Sequence, residues 1–211
     1  MFNKALALSL AAAVSVAAFA TPVFAKDLGG PWSKERFQVR VRAIDVIPDV
    51  DSSVNIGGEV DADYAITPEV DVSYFFTQNI AAELIAATSK HDLEYTGNVA
   101  LGDAWVLPPT LMLQYHFTPD KQFSPYVGAG VNYSVFYSED AATGFTDLKV
   151  DNGFGYGLQA GADFWVNEHW GVNLDVKKLW LDVDASLNNG AIQADVDMDP
   201  WIVGAGVSYR F

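Results

Sequence analysis

Eight charged residues sit on alternate positions of otherwise apolar segments. Arg40, Arg42, Lys177 and Arg210 are basic; Asp71, Glu83, Asp163 and Asp175 are acidic. Four against four suits mutual neutralisation away from water, where a charge left single is expensive. The chemistry they offer is a structural network of salt bridges and hydrogen bonds, with an ion or proton path as the alternative. Catalytic signatures are missing. His91, His116 and His169 have no Ser or Asp in a triad pattern beside them, although triads are defined by geometry rather than by sequence order. There is no HExxH zinc motif and no phosphate loop. Gly153, Gly155 and Gly157 alternate as a crowded interior requires, and resemble a nucleotide loop only superficially. A barrel lipase would need a His and a Ser within hydrogen-bond distance at an outer rim. With Cys at 0 there is no disulfide and no thiolate metal site. The chain is read as a non-enzyme without a cofactor.

The elements that must position these charges have a period of two. In residues 36–45, Phe37, Val39, Val41 and Ala43 share one face and Gln38, Arg40 and Arg42 the other. Seven more segments repeat the pattern. Their apolar faces are Val70 to Phe76, Ile80 to Ala86, Leu111 to Phe117, Val127 to Val135, Phe154 to Phe164, Trp170 to Trp180 and Trp201 to Phe211, taken at alternate residues. Each is close to the roughly nine to eleven residues of a tilted membrane strand. Short polar turns at residues 77–79, 118–124 and 167–169 alternate with long connections at 46–68, 89–107, 138–151 and 182–199. Short turns on the periplasmic side and long loops outside mark an eight-stranded antiparallel transmembrane β-barrel. A soluble sandwich would alternate too, but aromatics gather at these strand ends, and the chain finishes on Val207, Tyr209 and Phe211.

Toward the long connections the inward face turns apolar: Ile44, Ile85, Ala87, Met112, Phe136, Leu179, Leu181 and Ile202. An apolar upper chamber on a charged floor suits a small hydrophobic ligand that enters from outside and leaves sideways. Pro108 and Pro109 are the candidate exit, because proline donates no ladder hydrogen bond; the alternative is that they end a loop. The long connections hold 17 of the 27 carboxylates. That is a solvated acidic face, with loose Ca²⁺ or Mg²⁺ binding at Asp195, Asp197 and Asp199 as a weak alternative.

Lys4, an apolar stretch from Ala5 to Ala20, and Val23-Phe24-Ala25 read as an export signal cleaved after Ala25. Residues 26–211 are then one barrel domain. The formal net charge of −15 disfavours nucleic acid as a partner.

The chain resembles the outer membrane protein W (OmpW) family of small barrels. The resemblance is carried by Leu107-Pro108-Pro109-Thr110-Leu111-Met112-Leu113-Gln114-Tyr115-His116-Phe117 and Pro125-Tyr126-Val127-Gly128-Ala129-Gly130-Val131-Asn132-Tyr133. It continues through His169-Trp170-Gly171-Val172-Asn173-Leu174-Asp175-Val176-Lys177-Lys178 and the ending from Asp199-Pro200-Trp201 to Tyr209-Arg210-Phe211. It implies an outer-membrane protein of a Gram-negative bacterium linked to passive passage of small hydrophobic molecules. A non-transporting surface receptor or structural barrel acting through the acidic loops is the other role it allows. The expected partners are outer-membrane lipid and lipopolysaccharide, a hydrophobic ligand, and the barrel-assembly machinery through Val207, Tyr209 and Phe211.

Overall fold

The computed structural model describes residues 28–97 and 99–211; the proposed export signal lies outside them. After a short 3-10 turn, Lys34–Arg36, come β1 (Phe37–Ile47), β2 (Val50–Val54), β3 (Val60–Ala62), β4 (Ala65–Phe75), β5 (Ile80–Ala87), β6 (Ser89–Tyr95) and β7 (Val99–Leu107). Then follow β8 (Thr110–His116), β9 (Phe123–Ala141), β10 (Leu148–Val150), β11 (Gly153–Trp165), β12 (Trp170–Leu187), β13 (Ile192–Met198) and β14 (Trp201–Arg210).

Eight of these strands close a ring in which every neighbour is antiparallel: β1, β4, β5, β8, β9, β11, β12 and β14. The ring shuts where β1 meets β14, with Val39 opposite Tyr209 and Val41 opposite Val207. No helix of the described residues is long and apolar enough to cross a membrane. The strands do so, since a closed ladder leaves no backbone donor unpaired in lipid. Their outward residues, among them Val41, Val72, Leu84, Leu111, Leu113, Val131, Leu174 and Val203, are exposed.

Two aromatic belts bound this wall, as interfacial rings require. The lower one includes Phe37 edge-on to Tyr74 at 5.3 Å and Trp170 edge-on to Tyr209 at 4.7 Å. The upper one includes Tyr133 with Phe154 at 4.5 Å and Tyr156 stacked on Trp180 at 5.2 Å. The lower turns are held by their own polar side chains. Asn167 Oδ1 accepts from the amides of His169 (2.9 Å) and Trp170 (2.8 Å), and Thr77 Oγ1 from that of Ile80 (3.0 Å).

The long connections are themselves largely strand, where sequence reading expected loops. β9 and β12 run on above the membrane wall, and β2, β3, β6, β7, β10 and β13 pair alongside them. Ser52 Oγ bridges β2 to β3, accepting from Val60 N at 2.7 Å. The result is a second tier with its own apolar interior, built from Val54, Leu93, Leu148, Val150, Val183, Leu187 and Val196. His91, expected in a loop, lies buried on β6.

Where the tiers join, pairing lapses. The last lower pair between β5 and β8 is Ile85 with Thr110; the first upper pair between β6 and β7 is Ser89 with Val106. Pro108 and Pro109 fall in this interval and bring no N–H to it.

Candidate functional site

The charged side chains of the lumen floor come from inward positions of β1, β4, β5, β11 and β12. Arg40 Nη1 lies 2.7 Å from Glu83 Oε1 and 3.3 Å from Asp71 Oδ1, and its Nη2 lies 2.9 Å from Asp163 Oδ2. Arg42 reaches Glu69 at 2.8 Å, Asp71 at 2.5 Å and Asp175 at 3.5 Å. Lys177 Nζ bridges Glu69 (2.9 Å) and Asp175 (2.7 Å). Neutral donors add hydrogen bonds to these carboxylates. Gln159 Nε2 donates to Glu83 and Asp175, Gln114 Nε2 to Glu83, Tyr126 O–H to Asp175, and Ser208 O–H and Gln38 Nε2 to Asp163. All of these side chains are buried. An eight-stranded ring is just wide enough for side chains to fill, and this one is filled with interlocked charge.

Seven of the eight charges named from sequence meet in this network; Arg210 does not. Arg210 lies below it, donating to the carbonyls of Glu168 (3.0 Å) and Pro119 (3.1 Å) and lying over the Trp165 ring at 4.0 Å. A buried aromatic and two carbonyls are enough to hold a guanidinium at the lower rim. Glu69, which the sequence reading left out, joins the network through Arg42 and Lys177. Its parity matches Asp71, but it stands beside Pro68 at the edge of a presumed loop. With Glu69 the network has five carboxylates against three cations.

Directly above, Ile44, Ile85, Met112, Leu179 and Ile202 form one buried apolar cluster. All but Met112 border a cavity of about 50 Å³, where one water needs roughly 10–15 Å³ by the same measure; Met112 packs within the cluster but does not line the cavity. Leu181 lines this cavity but packs mainly with the upper tier, and Phe136 belongs to the upper tier alone. Pro108, Ser89, His91, Thr110, Asn132, Ser134, Glu69 and Lys177 are also part of the lining. Nearer the outer mouth a second cavity of about 160 Å³ is bounded by Val54, Leu93, Tyr95, Leu101, Phe145 and Leu187.

Apart from Lys177, the polar members of the chamber are not among the site residues named from sequence. Ser89 Oγ lies 2.9 Å from His91 Nε2, and His91 Nδ1 lies 2.7 Å from the Asp63 carbonyl. Ser89 and His91 are two residues apart on one strand, so both point inward. That parity was available, but residues 89–107 were read as loop.

On the outside of the upper tier, Asp182 faces Asp197 and Asp184 faces Asp195 across β12 and β13. Asp199 leaves this face, its Oδ1 accepting from Leu181 N at 3.3 Å. Like charges directly opposed destabilise a sheet. Partial desolvation first, then Asp195, Asp197 and Asp184, push the Asp182 carboxyl above its ordinary value of 3.8. A carboxyl raised on folding binds its proton more tightly in the folded sheet. Its contribution is therefore favourable below the ordinary value and is lost as pH rises through the raised one. Amide exchange of β13 is expected to quicken across that window beyond its intrinsic base catalysis, and Asp182→Asn to remove the excess. An excess that survives in Asp182→Asn contradicts this.

Fold and site together define a small outer-membrane β-barrel with a charged floor and an apolar chamber. The chain belongs to the OmpW family, whose model matches residues 33–211. It is 44% identical over 188 residues to the uncharacterized outer-membrane protein y4mB of Sinorhizobium fredii, covering 86% of this chain and 80% of that one. It is 32% identical to outer membrane protein W of Vibrio cholerae, over 94% of this chain and 96% of the relative. The crystal structure of OprG from Pseudomonas aeruginosa superposes with a TM-score of 0.79 at 32% identity, covering 83% of this chain and 95% of that one.

Proposed function

We propose that this barrel lets small hydrophobic molecules enter from outside, rest in the chamber, and leave sideways into the bilayer. The observation that carries the reading is a pairing lapse beside an apolar cavity that stands on buried ion pairs. A ligand with no charge gains by leaving water for Ile44, Ile85, Leu179 and Ile202. Going straight down would mean parting Arg40, Arg42 and Lys177 from their carboxylates, at several kcal/mol for each stranded charge. Beside the chamber, Ala86, Ala87 and Thr88 face Leu107, Pro108 and Pro109 between the two paired stretches. Opening there breaks little backbone hydrogen bonding. Thr88 Oγ1 to the Val106 carbonyl, at 3.1 Å, is a bond that would part.

The test is uptake of a hydrophobic solute by cells that carry or lack the protein. Leu179→Trp, which fills the chamber, is expected to bring uptake down to that of cells without the protein. Replacing Pro108 and Pro109 by Ala restores two amide donors and is expected to slow uptake as well. Equal uptake with and without the protein overturns the reading and favours a receptor acting through the acidic outer strands. Unchanged uptake in the double proline variant removes the exit from this place.

A further inference from the structure

The chamber is apolar on one side and holds hydrogen-bonding groups on the other, one of them unsatisfied among the described residues. Asn132 lies opposite Thr110 on β8 and opposite Gly155 on β11, and its side chain is buried. Its Nδ2 donates to Ser134 Oγ at 3.1 Å, while its Oδ1 meets no donor among the described residues. Exchanging the two amide atoms does not cure this: Oδ1 then takes the Ser134 contact and Nδ2 is left over. A buried amide with half its capacity unmet calls for a polar partner.

Ser89 supplies the second group. The Asp63 carbonyl can only accept, so His91 Nδ1 carries the ring proton in the neutral imidazole and Nε2 presents its lone pair. Ser89 O–H therefore donates to Nε2. The lone pairs of Ser89 Oγ are left, on an oxygen already polarised by that bond. His91 acts here as a positioning residue for Ser89. Thr110 is fixed in the same way, its O–H donating to the Pro108 carbonyl at 2.9 Å. Ser89, Thr110 and Asn132 all line the one cavity, across from Ile44, Leu179 and Ile202.

We propose that these groups form a hydroxyl-recognising subsite, so that the passenger is an amphiphile with an apolar body and one hydrogen-bond donor, such as a short-chain alcohol, rather than a pure hydrocarbon. This rests on the passage reading and narrows its substrate class. A ligand hydroxyl can donate to Asn132 Oδ1 or to a free lone pair of Ser89 Oγ, whereas an alkane that keeps water out leaves the buried Asn132 amide unpaired.

The experiment uses the full chain in phospholipid nanodiscs and equilibrium dialysis, in sealed cells, of radiolabelled 1-hexanol and n-hexane against protein-free discs. Ser89→Ala and Asn132→Ala sit on different strands, and gel mobility of the unheated protein shows whether each has folded. Each is expected to weaken hexanol binding about tenfold and to leave hexane binding unchanged. If both ligands bind the original protein and the variants weaken neither, or both alike, the subsite is overturned and the chamber stands. If neither ligand binds the original protein, the chamber reading falls and takes the subsite with it.

Discussion

Replacing Arg40 by Met is expected to lower the unfolding free energy by about 3–5 kcal/mol, the cost of stranding a buried charge. Arg40 is fully buried and touches Asp71, Glu83 and Asp163. Asp71 and Glu83 keep Arg42 as a cation. Among the described residues Asp163 keeps no other ion pair, and neutral donors from Gln38, Asn173 and Ser208 remain to it. The loss therefore concentrates on one carboxylate. Adding Asp163→Asn removes that charge and is expected to recover part of the loss, so the two changes do not add. The exposed pair Lys90 with Asp103, 3.0 Å apart, is the control. Lys90→Met should change stability by no more than about 0–1 kcal/mol. Denaturant unfolding of detergent-solubilised protein, followed by tryptophan fluorescence, gives all of these numbers. An Arg40→Met barrel within about 0.5 kcal/mol of the original, the range of an ordinary surface change, would sink the view that ion pairing holds the floor together.

The wall of the barrel could be read from sequence because lipid makes each face declare itself. Val39, Val41 and Ala43 alternate with Arg40 and Arg42, and the β1 and β4 partners repeat this. Above the membrane the same period of two carries the opposite polarity. On β12 the inward series Lys177, Leu179, Leu181, Val183 turns from charged to apolar, while the outward series turns from Leu174 and Val176 to Asp182 and Asp184. Water now lies outside and an apolar core inside. A reading that equates apolar with outward takes such a stretch for a loop. Asp195, Val196 and Asp197 on β13 are inverted likewise.

The site divides along the same line. The floor charges lie where lipid fixes the parity, and seven of those named from sequence converge there. Glu69, Ser89 and His91 lie at or above the joint between tiers. Their inward direction becomes visible only once strand is known to continue past Pro68 and Thr88. Arg210 has inward parity, but parity is blind to height, and its carbonyl partners come from turns that no periodicity can place.

Closure of the ring should prove most sensitive at Gly206. This residue lies opposite Arg42 on β1 and opposite Asn173 on β12. A Cβ built on it runs into the Val41 carbonyl oxygen and comes within 2.6 Å of Arg42 Cα. Both are backbone atoms of the neighbouring strand, so the strain can be relieved only by moving β1 away from β14. Gly204, two residues earlier on the same strand, differs. Its Cβ would meet Ile44 Cγ2 at 2.9 Å and Arg42 Cδ at 3.4 Å, both on side chains that can turn aside. Gly204→Ala is thus expected to cost about 1–3 kcal/mol, as overpacking does, and still to give a closed barrel. Gly206→Val is expected to give none. Parting this one pair leaves ladder N–H and C=O groups of two strands unpaired in hydrocarbon, at several kcal/mol for each group, which exceeds the roughly 5–15 kcal/mol that holds a folded domain together. The unheated protein on a gel separates the outcomes, because a closed barrel runs as a compact species and an open one does not. A compact Gly206→Val band, as resistant to denaturant as Gly204→Ala, would mean that β1 and β14 do not approach as closely as their register requires.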